Sequence, residues 1–460
     1  MNTPICDFVR GYAAAELTRF HMPGHKGKSA GAGSPGMEDP EDSRSRIQAL
    51  DITEIEGADV LYDSHDMIRE SEENAAKLFG SARTVYSTEG SSLCIRAMLF
   101  LARMYAEMRG RRASVAAGRN AHRVFLEAAA LLDIDVQWMG TGENLLRCHV
   151  TAENLEQMFR DPETAPTAVY ITSPDYLGNE TDIRPLSEIC RKNGAILLVD
   201  NAHGAYLKYL EKSRHPMDCG ADLCCDSAHK TLPVLTGGAY LHASKDCPES
   251  LIPLMERAMA LFASTSPSWL ILQSLDAMNA MLADDYPARI RKTAKKIKIM
   301  KQNLVENGWS LTGDEELKLT ICPKGKGFTG TELGNRLREK GVVCEFADPD
   351  YLVMMVTPEN EETELERLGN VLLRMPARLP ICSAPPAPGI ARPVFSPREV
   401  LFRPLERVPV ESSLGRILAS PSVSCPPAVP IVICGERIDE NALNLFRYYG
   451  IKYCDVIKTA

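Results

Sequence analysis

The chain has 460 residues, 45% of them hydrophobic and 25% charged, with a formal net charge of −9. That length suggests two or three domains, and that composition excludes a disordered or collagen-like chain. The acidic balance makes nucleic acid an unexpected partner.

Residues 1–48 read as an N-terminal arm. Its stretch "HMPGHKGKSAGAGSPG" (21–36) is too rich in Gly and Pro for a regular helix. His21 and His25 have the spacing of a zinc helix, but Pro23 and Gly24 lie between them, so no metal site is expected. From residue 66 helices and strands alternate. "SEENAAKLFG" is helical, "RTVYST" strand-like, "SSLCIRAMLFLARMYAEM" a long helix, "ASVAAG" a strand and "AHRVFLEAAALLD" a helix. "TAVYITSP", "AILLVDNA" and "ADLCCDSA" are further strands, with the helix "PLSEICRKNG" after the first. The alternation predicts right-handed βαβ units and an α/β fold: a mostly parallel sheet flanked by helices, over residues 49–260.

A smaller α+β domain is expected over 261–375, beginning with helices. Within it, "RIRKTAKKIKIMKQ" (289–302) has helical spacing without aromatics and reads as a solvated helix face. A Pro-rich linker (376–398) and a short C-terminal appendage (399–460) follow. The 14 cysteines are scattered and form no CxxC. The opening residues carry Asp7, Arg10, Glu16 and Arg19 and suggest no secretory leader. Reduced thiols in a cytoplasmic protein are the expectation. No window approaches the ~18–20 apolar residues that span a bilayer, so no membrane partner is expected.

In an open parallel sheet, ligands bind beyond the carboxyl ends of the strands. Gly90, Ser91 and Ser92 open a helix just after a strand, where free N–H groups and hydroxyls suit a phosphate. The same residues also suit a plain helix cap. Asp200 ends the most apolar strand, where a carboxylate is costly without a cation or firm donors. Lys230 follows another strand in "ADLCCDSAHK"; burial there would favour the neutral amine, a nucleophile, although a surface lysine fits the motif alone. His122 begins a helix after a strand. A phosphate cradle, a carboxylate for a protonated ring nitrogen, an amine for an aldehyde and a flat ring together suit pyridoxal 5′-phosphate.

These motifs resemble the Orn/Lys/Arg decarboxylases of the bacterial type, within the fold-type I pyridoxal-phosphate enzymes. The resemblance is carried by "FHMPGHKG", "DITEIEGADVLYDSHDMIRESEENAAKLFG", "GSS" (90–92), "RNAH" (119–122), "SPDYLGNETDI", "LLVDNAHGAY", "DSAHKTLPVLTGGAYLH" and "STSPSWLILQSLDA", in that order over about residues 18–280. The tail "SPREVLFRPLERVPVESSLGRILA…CPPAVPIVICGERI" is similar to the end of that family.

The resemblance implies decarboxylation of lysine, arginine or ornithine to cadaverine, agmatine or putrescine. It implies that Lys230 carries the cofactor as a Schiff base, Asp200 meets the ring nitrogen, His122 and Ala202 cover the two ring faces, and Gly90, Ser91, Ser92 and Ser227 hold the phosphate. His203 is placed at the cofactor, and His229 at cofactor or substrate, assisting proton transfer. It implies a homodimer with shared sites, to which Thr265 and Ser266 contribute across the interface. The chain departs from the family at "TEGSS", where "NGST" is common, which sets Glu89 beside the cradle. It resembles the short form without an N-terminal wing, and decamers are not expected. Asp51, Glu54, Glu56, Asp175 and Glu345 are candidates for the distal cation of a basic substrate, and spacing does not choose among them.

Rival readings remain open. An aminotransferase or aldolase-type lyase shares the fold, and the former anchors its substrate through a small-domain arginine, for which Arg374 and Arg378 are candidates. A non-catalytic regulatory protein has no need of the Asp200, Lys230 and His122 set. A nucleotide-binding protein is disfavoured because no P-loop occurs.

Overall fold

The computed structural model describes residues 1–28, 43–139, 148, 150–386, 389, 393–420 and 430–458. Seven strands form the main sheet: β1 (Arg83–Ser87), β2 (Ser114–Gly118), β3 (Asp135–Met139), β4 (Ala168–Thr172), β5 (Ile196–Asp200), β6 (Leu223–Asp226) and β7 (Ala239–Ala243). Their order is β1-β7-β6-β5-β4-β2-β3. Neighbours pair in parallel except β7, which runs antiparallel to β6 and β1. The expected mostly parallel sheet is therefore present, and the carboxyl ends of β1, β2, β4, β5 and β6 share one edge.

Both faces of the sheet are covered, which is why its central strands read as apolar runs. Tyr170 and Leu198 point to one face and pack with Leu93, Met98 and Phe125. Val169, Ile171, Leu197 and Val199 point to the other and pack with Leu186 and Ile189. Helices Gly90–Met108, Arg123–Leu131 and Ile183–Lys192 supply those layers. The starts of the last two are capped by side chains: His122 accepts from Val124 N–H and Asp182 from Arg184 N–H. Sequence periodicity missed β3 and β7. The first is a half-exposed edge strand, and the second interrupts its apolar run with the buried His242.

The expected arm is in part a docked helix. Helix Pro4–Ala14 packs on helices Met67–Phe79 and Trp269–Leu282, with Ile5 and Val9 fully buried and Cys6 N–H donating to Asp276 at 2.9 Å. So short an apolar stripe carries little period to detect. His21 meets the Tyr12 hydroxyl at 2.6 Å and His25 meets Asp51 at 3.2 Å, so the two histidines face different partners. Most of the Gly-rich stretch lies outside the described residues.

The smaller sheet has β8 (Ser310–Thr312), β9 (Lys318–Cys322), β10 (Phe346–Ala347) and β11 (Leu352–Met355), all antiparallel in the order β10-β11-β9-β8. Helices Gly330–Glu339 and Glu362–Leu373 cover it around Leu319, Ile321, Phe328 and Leu352. Helix Trp269–Leu282 instead packs with Phe79, Tyr86 and Tyr240 of the large unit. We therefore propose that the division falls within helix Tyr286–Glu306, later than the expected boundary at 260/261. That helix holds the basic run: Ile290 and Ile297 face inward, while Lys295 and Lys296 pair with Glu211 and Glu362.

The C-terminal unit pairs β12 (Leu405–Pro409) with β13 (Tyr453–Ile457) beside helix Glu440–Tyr448. Its Val400, Ala419, Ile433 and Cys434 join the core that contains Phe125. Among the described residues every cysteine is a free thiol, and no helix is long and apolar enough to cross a membrane.

Candidate active site

The chemistry-bearing residues gather at the shared carboxyl edge of the sheet. After β1 the chain turns at Gly90, whose N–H donates to Gly237 carbonyl at 2.7 Å. Gly237 has φ of +103°, and a Cβ there would lie 2.7 Å from Thr88 carbonyl, so only glycine fits the approach. The glycines after Lys230 thus close against the Thr88–Gly90 turn. Ser91 and Ser92 stand half-buried in the first turn of the helix, and Ser227 Oγ–H donates to Ser91 Oγ at 2.8 Å. That bond joins the end of β6 to the cradle after β1. Glu89 turns aside: its carboxylate accepts from Ser264 N–H at 2.8 Å. It thereby anchors the loop carrying Thr265 and Ser266, both exposed.

Asp200 ends β5, buried at 3% exposure. Its carboxylate accepts from Tyr170 O–H at 3.0 Å, Ala202 N–H at 3.2 Å and the Cys225 thiol at 3.7 Å. Among the described residues it makes no ion pair. Lys230 lies in the short helix Ala228–Thr231 after β6, with Nζ 3.1 Å from His203 Nε2. Burial pushes its pKa down, against the pull of Asp200, and Lys318 pushes the same way as burial. His203 is buried and held far below its ordinary pKa by desolvation, then by Lys318 and Lys230. Ala202 is buried beside it.

His122 caps its helix through Nδ1 and leaves part of its ring accessible. Desolvation lowers its pKa, Asp200 opposes this and Lys230 reinforces it. His229 donates Nδ1–H to Gly238 carbonyl at 3.0 Å, and its ring lies beside Gly90. Burial lowers its pKa as well. The neutral imidazole can therefore take a proton at Nε2, and the imidazolium so formed can return it.

The five carboxylate candidates separate clearly. Asp51 pairs with His25, and Glu54 takes the Thr53 hydroxyl at 2.7 Å. Glu56 lines a surface cleft with Phe8, Tyr12 and His21. Asp175 is used within its own loop, accepting from Leu177 N–H, Asn179 N–H and the Asn179 amide at 2.8–2.9 Å. Glu345 accepts from Tyr176 O–H at 3.0 Å, and the Tyr176 ring stands edge-on to His203 at 5.5 Å. Glu345 also acts on the charge of Lys230. Of the arginine candidates, Arg378 pairs with Glu332 at 2.6 Å and stacks over Phe328, while Arg374 is exposed at a helix end.

Three groupings escaped the sequence. Lys318 of β9 reaches His203 Nδ1 at 3.3 Å. Arg119, in the "RNAH" stretch, makes a two-point pair with buried Glu436 of the C-terminal unit at 2.7 and 2.9 Å. Asp226, the last residue of β6, is fully buried and meets His215 at 2.9 Å, His242 at 3.3 Å and the Asn201 amide at 2.7 Å. Asp226, His215 and Cys224 could ligate a metal ion, yet hydrogen bonds already account for Asp226 and for both ring nitrogens of His215.

The fold recurs in solved structures. The lysine decarboxylases of Francisella novicida and Pseudomonas aeruginosa superpose with TM-scores of 0.78 and 0.79 at 16% and 17% identity, covering 99% of this chain and 81% and 80% of theirs. An arginine decarboxylase of Halalkalibacterium halodurans is 27% identical across 97% of this chain and 93% of its own. One from Bacillus subtilis is 25% identical with the same coverage. Residues 3–322 match the model of the Orn/Lys/Arg decarboxylase major domain, and residues 389–453 match that of its C-terminal domain. The chain is a decarboxylase and belongs to the Orn/Lys/Arg decarboxylase family.

Proposed function

We propose that the protein removes the α-carboxylate of arginine, yielding agmatine, with pyridoxal 5′-phosphate held on Lys230. One observation carries the reading: a buried carboxylate that makes no ion pair among the described residues ends one strand, and a half-buried amine follows the neighbouring strand, beside serines at a helix N-terminus. That donor set fits the cofactor. Gly90, Ser91, Ser92 and Ser227 would hold its phosphate. A protonated ring nitrogen would give Asp200 its missing cation. His122 and Ala202 would cover the ring faces, and Lys230 would bond the aldehyde. When bound, the cofactor supplies an electron sink for the pair left on Cα as carbon dioxide departs.

The chain's own residues do the rest. Asp200 stabilises the positive ring nitrogen in a site of low polarity. The reaction takes up one proton at Cα, and Lys230 or His229 delivers it. Glu345, which acts on the charge of Lys230 from the small domain, is our choice for the substrate's distal cation. Arginine is preferred over lysine and ornithine because relatives matched over nearly the whole chain are named arginine decarboxylases. A homodimer would bring Thr265 and Ser266 of each chain to the neighbour's cradle.

The test is to supply the full chain and pyridoxal phosphate with arginine, lysine and ornithine in turn, measuring carbon dioxide, amine and 2-oxo acid. Arginine should turn over fastest, with amine and carbon dioxide in equal amounts. A 2-oxo acid as the main product, or no turnover of any of the three, would overturn the reading.

A further inference from the structure

Lys318 is a small-domain lysine on β9 whose side chain is 1% exposed. Its Nζ lies 2.7 Å from the Glu315 carboxylate, 3.2 Å from Asp175 carbonyl and 3.3 Å from His203 Nδ1. The Glu315 carboxylate and the Asp175 carbonyl can only accept, and an ammonium of Lys318 has three hydrogens and no lone pair, so it can only donate to His203 as well. His203 Nδ1 is then an acceptor, and a neutral imidazole must carry its hydrogen on Nε2. That Nε2–H points at Lys230 Nζ, 3.1 Å away. A donor aimed at a lysine nitrogen requires a lone pair there, so Lys230 is the free amine and not the ammonium.

We infer that Lys318 is a positioning residue for Lys230: through His203 it holds the imidazole as the Nε2–H tautomer, and so keeps Lys230 an unprotonated nucleophile in the chain free of cofactor. The inference rests on the reading of Lys230 as the cofactor-bearing residue. It also makes the nucleophile depend on the small domain, because the charge that sets its protonation comes from β9. Glu315 is held in turn by the Tyr206 hydroxyl at 3.2 Å. The other charged groups acting on Lys230 and His203 are Asp200, Glu345, His122 and His229. Asp200 and Glu345 favour the ammonium, so burial and Lys318 must outweigh them.

The test uses the full chain freed of carbonyl cofactor by hydroxylamine. An amine-selective acylating reagent is applied across a pH series, and the labelling of Lys230 is read by peptide mass spectrometry. Lys230 should label with a midpoint below that of the exposed lysines. In Lys318→Met/Glu315→Gln the midpoint should rise, with about tenfold less labelling at neutral pH. Glu315→Gln alone keeps Lys318 and should keep the low midpoint. An unchanged midpoint in the double variant, or an equal rise in the single one, overturns the inference. A second measurement needs no folded double variant: the nitrogen NMR pattern of His203, assigned by its loss in His203→Gln. The Nε2–H tautomer is expected, and the Nδ1–H tautomer or the imidazolium overturns the proposal. Neither readout depends on decarboxylation. An inactive protein with a low Lys230 midpoint would fail the substrate reading alone.

Discussion

Asp200 and Asp226 end neighbouring parallel strands, Asp200 opposite Cys225 in the register, and both carboxylates are buried. Their surroundings differ in kind. Asp226 has two imidazoles and an amide, and His215 is itself fixed by Met217 N–H on its other nitrogen. Asp200 has a phenol, a backbone N–H and a thiol, all neutral, and faces the crevice that holds Lys230. A buried carboxylate served by two imidazoles is a structural member. One held by a phenol, a single backbone N–H and a weak thiol donor has, among the described residues, no basic side chain in hydrogen-bond contact to offset its desolvation. The same residue type in the same topological position thus reads as scaffold in one strand and as reagent in the next.

The sharpest way to test that division is to remove the amine that shares the crevice with Asp200. Lys230→Ala should abolish turnover, and borohydride treatment should no longer fix pyridoxal phosphate to the chain, as intact mass would record. Persisting activity or covalent fixation would end the assignment. Asp200→Asn comes next, with kcat expected to fall by about 10³-fold or more while the protein stays folded and keeps some cofactor. A rate within a factor of a few of the parent would make Asp200 as structural as its neighbour.

Asp226→Asn probes the other side. It should leave kcat per folded molecule nearly unchanged but cost about 3 kcal/mol of stability, because the imidazoles of His215 and His242 lose their shared anion. Urea unfolding followed by far-UV dichroism measures it. A large fall in kcat with unchanged stability would reverse the roles of the two aspartates.

The contrast also marks what the sequence could convey. Ser91, Asp200 and Lys230 were legible because each follows an apolar strand, and the edge rule of parallel sheets brings such positions together. The partners that decide between reagent and scaffold were not. Asp226 stands one residue before Ser227, yet its histidines come from a loop before β6 and from the unnoticed β7. Lys318 alternates with buried Leu317 and Leu319, a pattern that normally turns lysine to solvent, and it meets a histidine 115 residues earlier. Glu436 finds Arg119 across 317 residues in a segment that read as an appendage. Local pattern carries no information about pairing at such separations, and the packing of helix Trp269–Leu282 against Phe79, Tyr86 and Tyr240, on which the later boundary is proposed, is hidden for the same reason.

The smallest effect expected concerns acid. Burial drives the His242 pKa down, and Asp226 opposes it only in part. A base whose folded pKa is depressed stays neutral in the fold while the unfolded chain takes up a proton, so its contribution to stability is lost as pH falls below the ordinary imidazole value. For Asp226, burial alone would raise the carboxyl, but the charge and hydrogen bonds of His215 and His242 carry it below the usual carboxylate range. That stability is full above the ordinary carboxylate value and fades only in stronger acid. Between neutrality and about pH 5 the histidines therefore act before the carboxylate does. His203, His122 and His229 have depressed values too and add to the same slope, so the contribution of His242 is read as a difference. His242→Gln should lower stability at pH 7 but lose about 1 kcal/mol less than the parent on acidification from pH 7 to 5.5, measured by urea midpoints. Equal losses in the two proteins would mean that His242 is already protonated in the fold at neutral pH, and that it meets Asp226 as one half of an ion pair.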